Sequence, residues 1–316
     1  MRYFITIISL FGLFISQQSF ANEVYNFALI PKGKNNVFFE LSGDGCIDAA
    51  QNLENVSCEY IGPETIDASK QIQILQDLIT RNIDGIAVAP VNSAALKNIL
   101  KQAKRKNIPV ITYDSDVIDK HKNLRYTYVG TNNYEIGKNI ALEVRKIKPE
   151  GGTFCLQTGT LGEINLNERM QGVKETLGEK WTQVAGCPLT NTGDFSVTVN
   201  QMDEILLKYP KLDAFIPVAG WPQLFPSAYK KVMERNSERI KNGDTIIAIA
   251  DTLPVQMELL KEGWGHINIG QKPYEMGVKA LNTLYKIKTS NDEIDDPIYT
   301  GLDICLQSNH ETCLDN

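Results

Sequence analysis

Strand-like and helix-like segments alternate along this chain, and the alternation begins twice. Short apolar runs such as 83–89 and 108–111 are typical of strands buried on both faces of a sheet. Between such runs, segments like 68–80 carry apolar residues at helical spacing. A strand–helix alternation of this kind predicts a parallel sheet wrapped by helices. Because the series restarts after Val129, we expect two α/β lobes in tandem.

The length fits this division, since 316 residues exceed the usual size of one domain. No low-complexity linker separates the two series, and Gln271-Lys272-Pro273 begins another helix late in the chain. We therefore expect three short crossings between the lobes instead of one flexible tether. The predicted N-terminal lobe is 22–130 with 272–296, and the predicted C-terminal lobe is 131–271 with 297–316.

The first 21 residues resemble an export signal. Arg2 precedes an apolar run over 4–15, which is too short to cross a bilayer of about 30 Å as a helix. Ser19-Phe20-Ala21 then places small residues at the two positions that a signal peptidase reads. A buried core helix is the alternative, but nothing amphipathic follows the run. We predict a signal peptide over 1–21, cleavage after Ala21 and an exported protein.

Export changes the interpretation of the six cysteines, because an oxidising compartment permits disulfides. Fifteen pairings are possible, but the spacing groups the cysteines into three neighbouring pairs. Buried free thiols are the alternative. The predicted disulfides are Cys46–Cys58, Cys155–Cys187 and Cys305–Cys313.

Charge and motifs exclude several functions. The 38 acidic residues outnumber the 32 basic ones, which argues against nucleic acid as a partner. The chain has no phosphate-binding loop, no Gly-x-Ser-x-Gly elbow and no His-Glu-x-x-His, and its acidic stretch 291–296 lacks the spacing of a calcium loop. We therefore expect no cofactor and no metal. Acid–base chemistry at Asp114 or Asp251 stays open on motifs alone.

Polar and aromatic residues follow the predicted strands, where open parallel sheets bind their ligands. The segments are Asn35-Asn36-Val37-Phe38-Phe39, Tyr113-Asp114-Ser115-Asp116, Asn165 to Gly172, Asp194-Phe195, Asp251 and Gln271. In this order they resemble the periplasmic sugar-binding proteins of ABC transporters, in the group of the ribose- and rhamnose-binding proteins. The resemblance covers essentially the whole chain after the signal peptide.

This resemblance implies the type I periplasmic binding protein fold, with two Rossmann-like lobes and three crossings. It also implies a monosaccharide or polyol ligand, an ABC transporter permease as partner, and no enzymatic activity. Lys32 is included by position alone. The implied ligand-binding residues are Lys32, Asn36, Phe38, Phe39, Asp114, Ser115, Asn165, Arg169, Phe195, Trp221, Asp251 and Gln271.

These residue types suit a sugar independently of the resemblance. A monosaccharide presents hydroxyls that donate and accept hydrogen bonds, together with weakly apolar ring faces. Carboxylates accept from two hydroxyls at once, and an arginine donates through a planar fork. Aromatic side chains cover the ring faces. A buried polar group left without a partner costs about 1–3 kcal/mol, so such a site rejects a sugar that lacks one hydroxyl.

Each assignment has a structural alternative. In this alternative, one of Phe38 and Phe39 belongs to the hydrophobic core, and Trp221 packs within a loop. Asp114 and Asp251 become helix or turn caps. Under the same interpretation Arg169 pairs with Glu163 or Glu168 on an exposed helix face, and Lys32 is a solvated surface lysine.

Two departures from the ribose-type pattern bear on the ligand. Ala219-Gly220-Trp221 stands where those proteins have an Asn-Asp pair, and Ser115 stands where they have Arg. Both changes remove contacts to hydroxyls, so ribose itself is not the expected ligand. Another sugar, a deoxysugar and a polyol all remain open.

Four function classes need to be distinguished. A transport receptor delivers its ligand to a permease. A sensing partner has the same fold and site but delivers its ligand to a chemoreceptor or sensor kinase. The export signal and the lack of an N-terminal DNA-binding segment exclude a repressor. An enzyme would turn over the bound sugar. We expect the transport receptor.

Overall fold

The computed structural model describes residues 24–313, so the predicted signal peptide lies outside the described residues. The strands are β1 (Tyr25–Ile30), β2 (Val56–Tyr60), β3 (Gly85–Val88), β4 (Val110–Tyr113), β5 (Tyr128–Gly130), β6 (Gly152–Thr158), β7 (Trp181–Gln183), β8 (Leu189–Thr190), β9 (Ala214–Pro217), β10 (Ile246–Ala250), β11 (Ile267–Gly270), β12 (Ile298–Tyr299) and β13 (Asp303–Leu306). The helices are α1 (Val37–Gln51), α2 (Ala68–Thr80), α3 (Lys97–Arg105), α4 (Asn133–Ile147), α5 (Ile164–Leu177), α6 (Thr198–Lys208), α7 (Pro226–Arg235), α8 (Ser237–Lys241), α9 (Pro254–Lys261) and α10 (Pro273–Thr289). Within 24–313, no helix is long and apolar enough to cross a membrane.

These elements form two sheets, which confirms the two predicted α/β lobes. The first sheet has the order β12-β5-β4-β3-β1-β2, and all its pairings are parallel. The second has the order β13-β11-β10-β9-β6-β7, with β8 beside β6. Only β13 runs antiparallel to its neighbour there. The carboxyl ends of parallel strands lie along one edge of a sheet, and open α/β sheets bind their ligands at this edge.

Helices cover both faces of the first sheet, which explains why β3 and β4 are buried throughout. Side chains of α1 and α10 pack on one face, and those of α2 and α3 pack on the other. Helices α1 and α10 meet backbone to backbone, because a Cβ added at Gly277 would lie 1.9 Å from the Ser42 carbonyl oxygen. Glycine is therefore required at this contact.

The chain passes between the sheets three times: after Gly130, after Gly270 and after Tyr299. The last passage differs from the sequence expectation, which placed 297–316 entirely in the C-terminal lobe. Residues Ile298 and Tyr299 pair with Val129 and Gly130 at the edge of the first sheet. A strand of two residues has no periodicity to read, so the sequence gives no signal for it.

All six cysteines are paired as the spacing predicts, with Cys46–Cys58, Cys155–Cys187 and Cys305–Cys313 each inside one lobe. The bond between Cys155 and Cys187 closes the longest loop, with a sequence separation of 32. None of the described disulfides ties one lobe to the other, so they leave the relative position of the lobes free.

Removing these disulfides should destabilise the protein in order of loop length. In the chain-entropy picture, Cys155→Ser with Cys187→Ser should lower the free energy of unfolding by about 3–4 kcal/mol. The matched pair Cys305→Ser with Cys313→Ser, with a separation of 8, should lower it by about 2–3 kcal/mol. Urea unfolding of each double variant measures the difference. A larger loss for the shorter loop would contradict the entropic account.

Candidate ligand-binding site

A cavity lies between the two sheets at the carboxyl ends of their strands. Eleven of the twelve residues expected from sequence line it: Lys32, Asn36, Phe38, Phe39, Asp114, Asn165, Arg169, Phe195, Trp221, Asp251 and Gln271. Ser115 is the exception. The residues that sequence reasoning missed are Glu163, Ile66, Leu166, Ala219, Gly220, Leu224 and Leu253.

Two aspartates occupy equivalent positions in the lobes. Asp114 directly follows β4 and donates its amide to the Val129 carbonyl at 3.1 Å, while Asp251 directly follows β10 and donates to the Ile269 carbonyl at 2.7 Å. Both have left-handed backbones, with φ of 57° and 75°. Such a conformation costs about 1–3 kcal/mol in a residue other than glycine and is concentrated at functional sites. In each lobe, a strained backbone conformation therefore places a carboxylate at the cavity.

Asp251 is held by two protein contacts. Its Oδ2 accepts from the Gly220 amide at 3.0 Å, and its Oδ1 accepts from Gln271 Nε2 at 2.7 Å. The alternative that Asp251 caps α9 does not fit, because the residue at the N-cap is Leu253.

Lys32 bridges the cleft. Only 3% of its surface is exposed, which contradicts the alternative of a solvated lysine. Its Nζ lies 3.1 Å from Asp114 Oδ2 in its own lobe, and 2.9 Å from Glu163 Oε2 and 3.1 Å from Asn165 Oδ1 in the other lobe. The three acceptors match the three protons of an ammonium group.

Charge keeps Lys32 protonated in this buried position. Burial alone lowers the pKa of the ammonium, but the carboxylates of Asp114 and Glu163 outweigh burial and raise that pKa above its ordinary value. Glu163 is itself anchored, because its Oε1 accepts from the amide and the hydroxyl of Thr160 at 3.2 and 3.0 Å. The bridge is therefore a fixed ion pair between the lobes.

Arg169 is positioned from within the second lobe and is 2% exposed. Its Nε donates to Asn133 Oδ1 at 2.9 Å and its Nη1 donates to the Val218 carbonyl at 3.0 Å. Nη2 is buried and has no partner among residues 24–313. No carboxylate within 24–313 lies within 4.0 Å of this guanidinium, so the alternative pairing with Glu163 or Glu168 is absent there. Close packing of α4 on α5 sets the position, since a Cβ at Gly137 would lie 1.9 Å from the Arg169 carbonyl oxygen.

Aromatic rings approach the cavity from both lobes. Phe38 and Phe39 lie in the first turn of α1, are both buried, and touch edge to face with centroids 5.2 Å apart. Phe195 and Trp221 stack at 5.3 Å with an interplanar angle of 12°. Asn36 caps α1 by accepting from the Phe38 amide at 3.0 Å.

Ser115 lies elsewhere because the chain turns at once after Asp114. Its amide donates to the Tyr113 carbonyl at 2.5 Å. Its hydroxyl is buried, has no partner within the described part of the chain, and lies outside the cavity lining. The expectation that Ser115 contacts a ligand is not supported by this placement.

Several polar atoms of the lining residues have no protein partner among the described residues. Arg169 Nη2 and Gln271 Oε1 are buried in this state. Asp114 Oδ1 and the side-chain nitrogens (Nδ2) of Asn36 and Asn165 also make no hydrogen bond to residues 24–313. Donors and acceptors from both lobes thus face one small space beside aromatic rings. In the same residues, no cluster of His, Cys, Asp or Glu is arranged to hold a metal ion.

Comparison with known proteins points to one family. The model of the periplasmic binding protein domain matches residues 27–292. The D-allose-binding periplasmic protein of Escherichia coli is 24% identical over 295 residues, covering 90% of this chain and 91% of that protein. The D-ribose/D-allose-binding protein of Pseudomonas aeruginosa is 27% identical over 289 residues, covering 88% and 87%.

Solved structures agree in fold. A solute-binding protein of an ABC transporter from Burkholderia graminis, in complex with D-arabinose, superposes with a TM-score of 0.80 at 28% identity, covering 90% of this chain and 96% of that one. GanP, a glucose-galactose binding protein from Geobacillus stearothermophilus, also gives a TM-score of 0.80, at 26% identity, covering 91% and 99%.

Proposed function

Because the chain belongs to the periplasmic binding protein domain family, we propose that it captures a monosaccharide or a similar polyol between its two lobes. The observation that carries the proposal is the set of unpartnered donors and acceptors, such as Arg169 Nη2 and Gln271 Oε1, beside stacked aromatic rings. The hydroxyls of a sugar can bind the unpartnered donors and acceptors. Its apolar ring faces can pack against the aromatic rings. Such a protein binds and releases its ligand without a chemical reaction, so it is not an enzyme.

The bound sugar is delivered to the permease of an ABC transporter. Relatives that align over most of their length include ribose import binding proteins, which supports transport. Delivery to a chemoreceptor or sensor kinase would use the same fold and site, and no feature of the described residues favours it. The protein works in the periplasm, and the small residues at Ser19 and Ala21 support signal-peptide cleavage after Ala21.

Thermal-shift screening of the purified protein against pentoses, hexoses, deoxysugars and polyols tests the proposal. A ligand present at 100 times its Kd stabilises the folded state by about 2.7 kcal/mol, which gives a clear rise in Tm. We expect a hit among neutral monosaccharides or polyols, with D-ribose weak or silent.

Asp114→Ala provides the specificity control for that screen, because its carboxylate lies in the cavity and its loss should weaken binding by about 1–3 kcal/mol and so reduce the shift. Hits restricted to amino acids, peptides or metal complexes would contradict the proposal. So would a sugar hit of unchanged size in the Asp114→Ala variant.

A further inference from the structure

A chain of buried hydrogen bonds joins the two lobes at the first crossing. Tyr128 lies in β5 of the N-terminal lobe, Asn133 begins α4 of the C-terminal lobe, and both are at most 6% exposed. Asn133 Nδ2 donates to the Tyr128 hydroxyl oxygen at 3.2 Å. The acceptors of that hydroxyl are the carbonyls of Asp114, at 3.0 Å, and of Thr131, at 2.9 Å. The bond between Tyr128 and Asn133 therefore spans the segment through which the chain passes from one lobe to the other.

In the first lobe, this chain of bonds ends on a residue that carries a cavity carboxylate. Asn133 Nδ2 also lies 3.4 Å from the Asp114 carbonyl, so both side chains converge on the main chain of Asp114. The Tyr128 hydroxyl keeps the proton that it donates, because burial and then the Asp114 carboxylate raise the pKa of Tyr128 well above its ordinary value. Tyr128 and Asn133 do not line the ligand cavity themselves, whereas Asp114 does.

In the second lobe, the chain of bonds ends on Arg169. Asn133 Oδ1 accepts from Arg169 Nε at 2.9 Å, and the Val218 carbonyl accepts from Nη1 at 3.0 Å. Two bonds on different nitrogens fix the plane of a guanidinium, whereas a guanidinium with one bond can pivot about it. Nη2 is the remaining nitrogen, buried and without a partner among residues 24–313. Its direction therefore depends on Asn133, and through Asn133 on the Tyr128 hydroxyl in the other lobe.

We propose that Tyr128 and Asn133 are positioning residues, which orient Arg169 for ligand binding without touching the ligand. Because their bond spans the first crossing, it couples the orientation of Arg169 to the relative position of the lobes. Ligand affinity then depends on two side chains outside the cavity. The inference rests on the proposed function, since it assumes that a sugar binds beside Arg169.

Isothermal titration of single variants tests the inference. The probe is whichever monosaccharide or polyol binds the wild-type protein most tightly, starting from D-allose, D-arabinose, D-xylose, D-galactose and D-fucose. Tyr128→Phe should raise the Kd of this probe about 3- to 10-fold, because the ring keeps its packing and only a hydroxyl is lost. Asn133→Ala should raise the Kd at least about tenfold, because Arg169 keeps one fixed acceptor in place of two.

Two controls remove similar groups outside this chain of bonds. Tyr209→Phe removes a hydroxyl that donates to the Ala185 carbonyl. Asn139→Ala removes a side-chain amide that donates to the Glu135 carbonyl within α4. Both should leave the Kd within about twofold of the wild-type value. A Kd within about twofold in Tyr128→Phe as well would overturn the inference and leave the proposed function standing. Failure of the wild-type protein to bind any monosaccharide or polyol would overturn both.

A double variant separates positioning from a general loss of stability. Because Asn133 acts through Arg169, adding Asn133→Ala to Arg169→Met should change the Kd by less than about twofold. A purely structural role of Asn133 predicts the same loss of affinity with and without the guanidinium. A further loss of about tenfold in the Arg169→Met background would therefore overturn the inference.

Discussion

Lys32→Met should raise the ligand Kd by about 100- to 1000-fold. Removing one partner of a buried ion pair costs about 3–5 kcal/mol, because a charge stays buried without compensation. Here Asp114 and Glu163 would both lose the ammonium that lies 3.1 and 2.9 Å from their oxygens. The lobes avoid this cost by separating and rehydrating both carboxylates. The penalty therefore falls on the arrangement in which residues of both lobes surround one cavity, and this is the arrangement in which we propose that the ligand binds.

Titration with the ligand measures the weaker binding. Small-angle scattering of the ligand-free variant measures the expected larger radius of gyration. Lys34→Met is the matched control, because Lys34 pairs with the exposed Glu64 inside the same lobe, and such surface pairs contribute about 0–1 kcal/mol. Adding Glu163→Gln to Lys32→Met should recover part of the affinity, since one unpaired charge is removed. A Kd within threefold of the wild-type value in Lys32→Met would contradict the cross-cleft role.

Arg169→Met should reduce ligand affinity by at least about 100-fold. The variant removes the unpartnered Nη2 from the cavity and leaves the Asn133 side-chain oxygen and the Val218 carbonyl without their donor. Hydrogen bonds to charged groups contribute about 1.5–3 kcal/mol each, so stability falls as well as affinity.

Arg169→Lys separates these effects, because lysine keeps the charge but cannot donate in a fork to two fixed acceptors while reaching a ligand. It should fold and still bind at least tenfold more weakly than wild type by titration. Arg145→Met is the control in the same lobe, where an exposed arginine donates to the Thr176 carbonyl. Normal affinity in Arg169→Lys would show that Arg169 supports the fold without contacting the ligand.

The fold could be predicted from sequence because the central strands of both sheets are buried on both faces. Runs such as Ile246–Ala250 are then continuously apolar and cannot be confused with exposed loops. Short edge strands are different. Ile298–Tyr299 has two residues, and nothing in its composition distinguishes it from the surrounding loop. Its place in the first sheet depends on pairing with β5, which is distant in sequence, and a local sequence pattern does not predict such pairing.

The cavity residues were readable for a topological reason, since residues after parallel strands meet at one edge. Glu163 was missed because its role depends on Lys32, which is 131 positions away and in the other lobe. A sequence offers only the fact that an acidic residue precedes a helix. Ser115 was misplaced because a left-handed residue before it redirects the chain, and this backbone conformation is not visible in residue types.

The packing of α10 on α1 has a consequence for folding order. The two helices touch through Ser42 and Gly277, although most of the second lobe lies between them in the chain. Contacts of such long sequence separation form late, because the intervening chain must first be brought together. The N-terminal lobe cannot complete its core when its own first 130 residues emerge from the export machinery, since α10 and β12 are then missing. The C-terminal lobe, continuous from α4 to β11, has nearly all its sheet available earlier, so we expect it to act as the template on which the N-terminal lobe finishes folding.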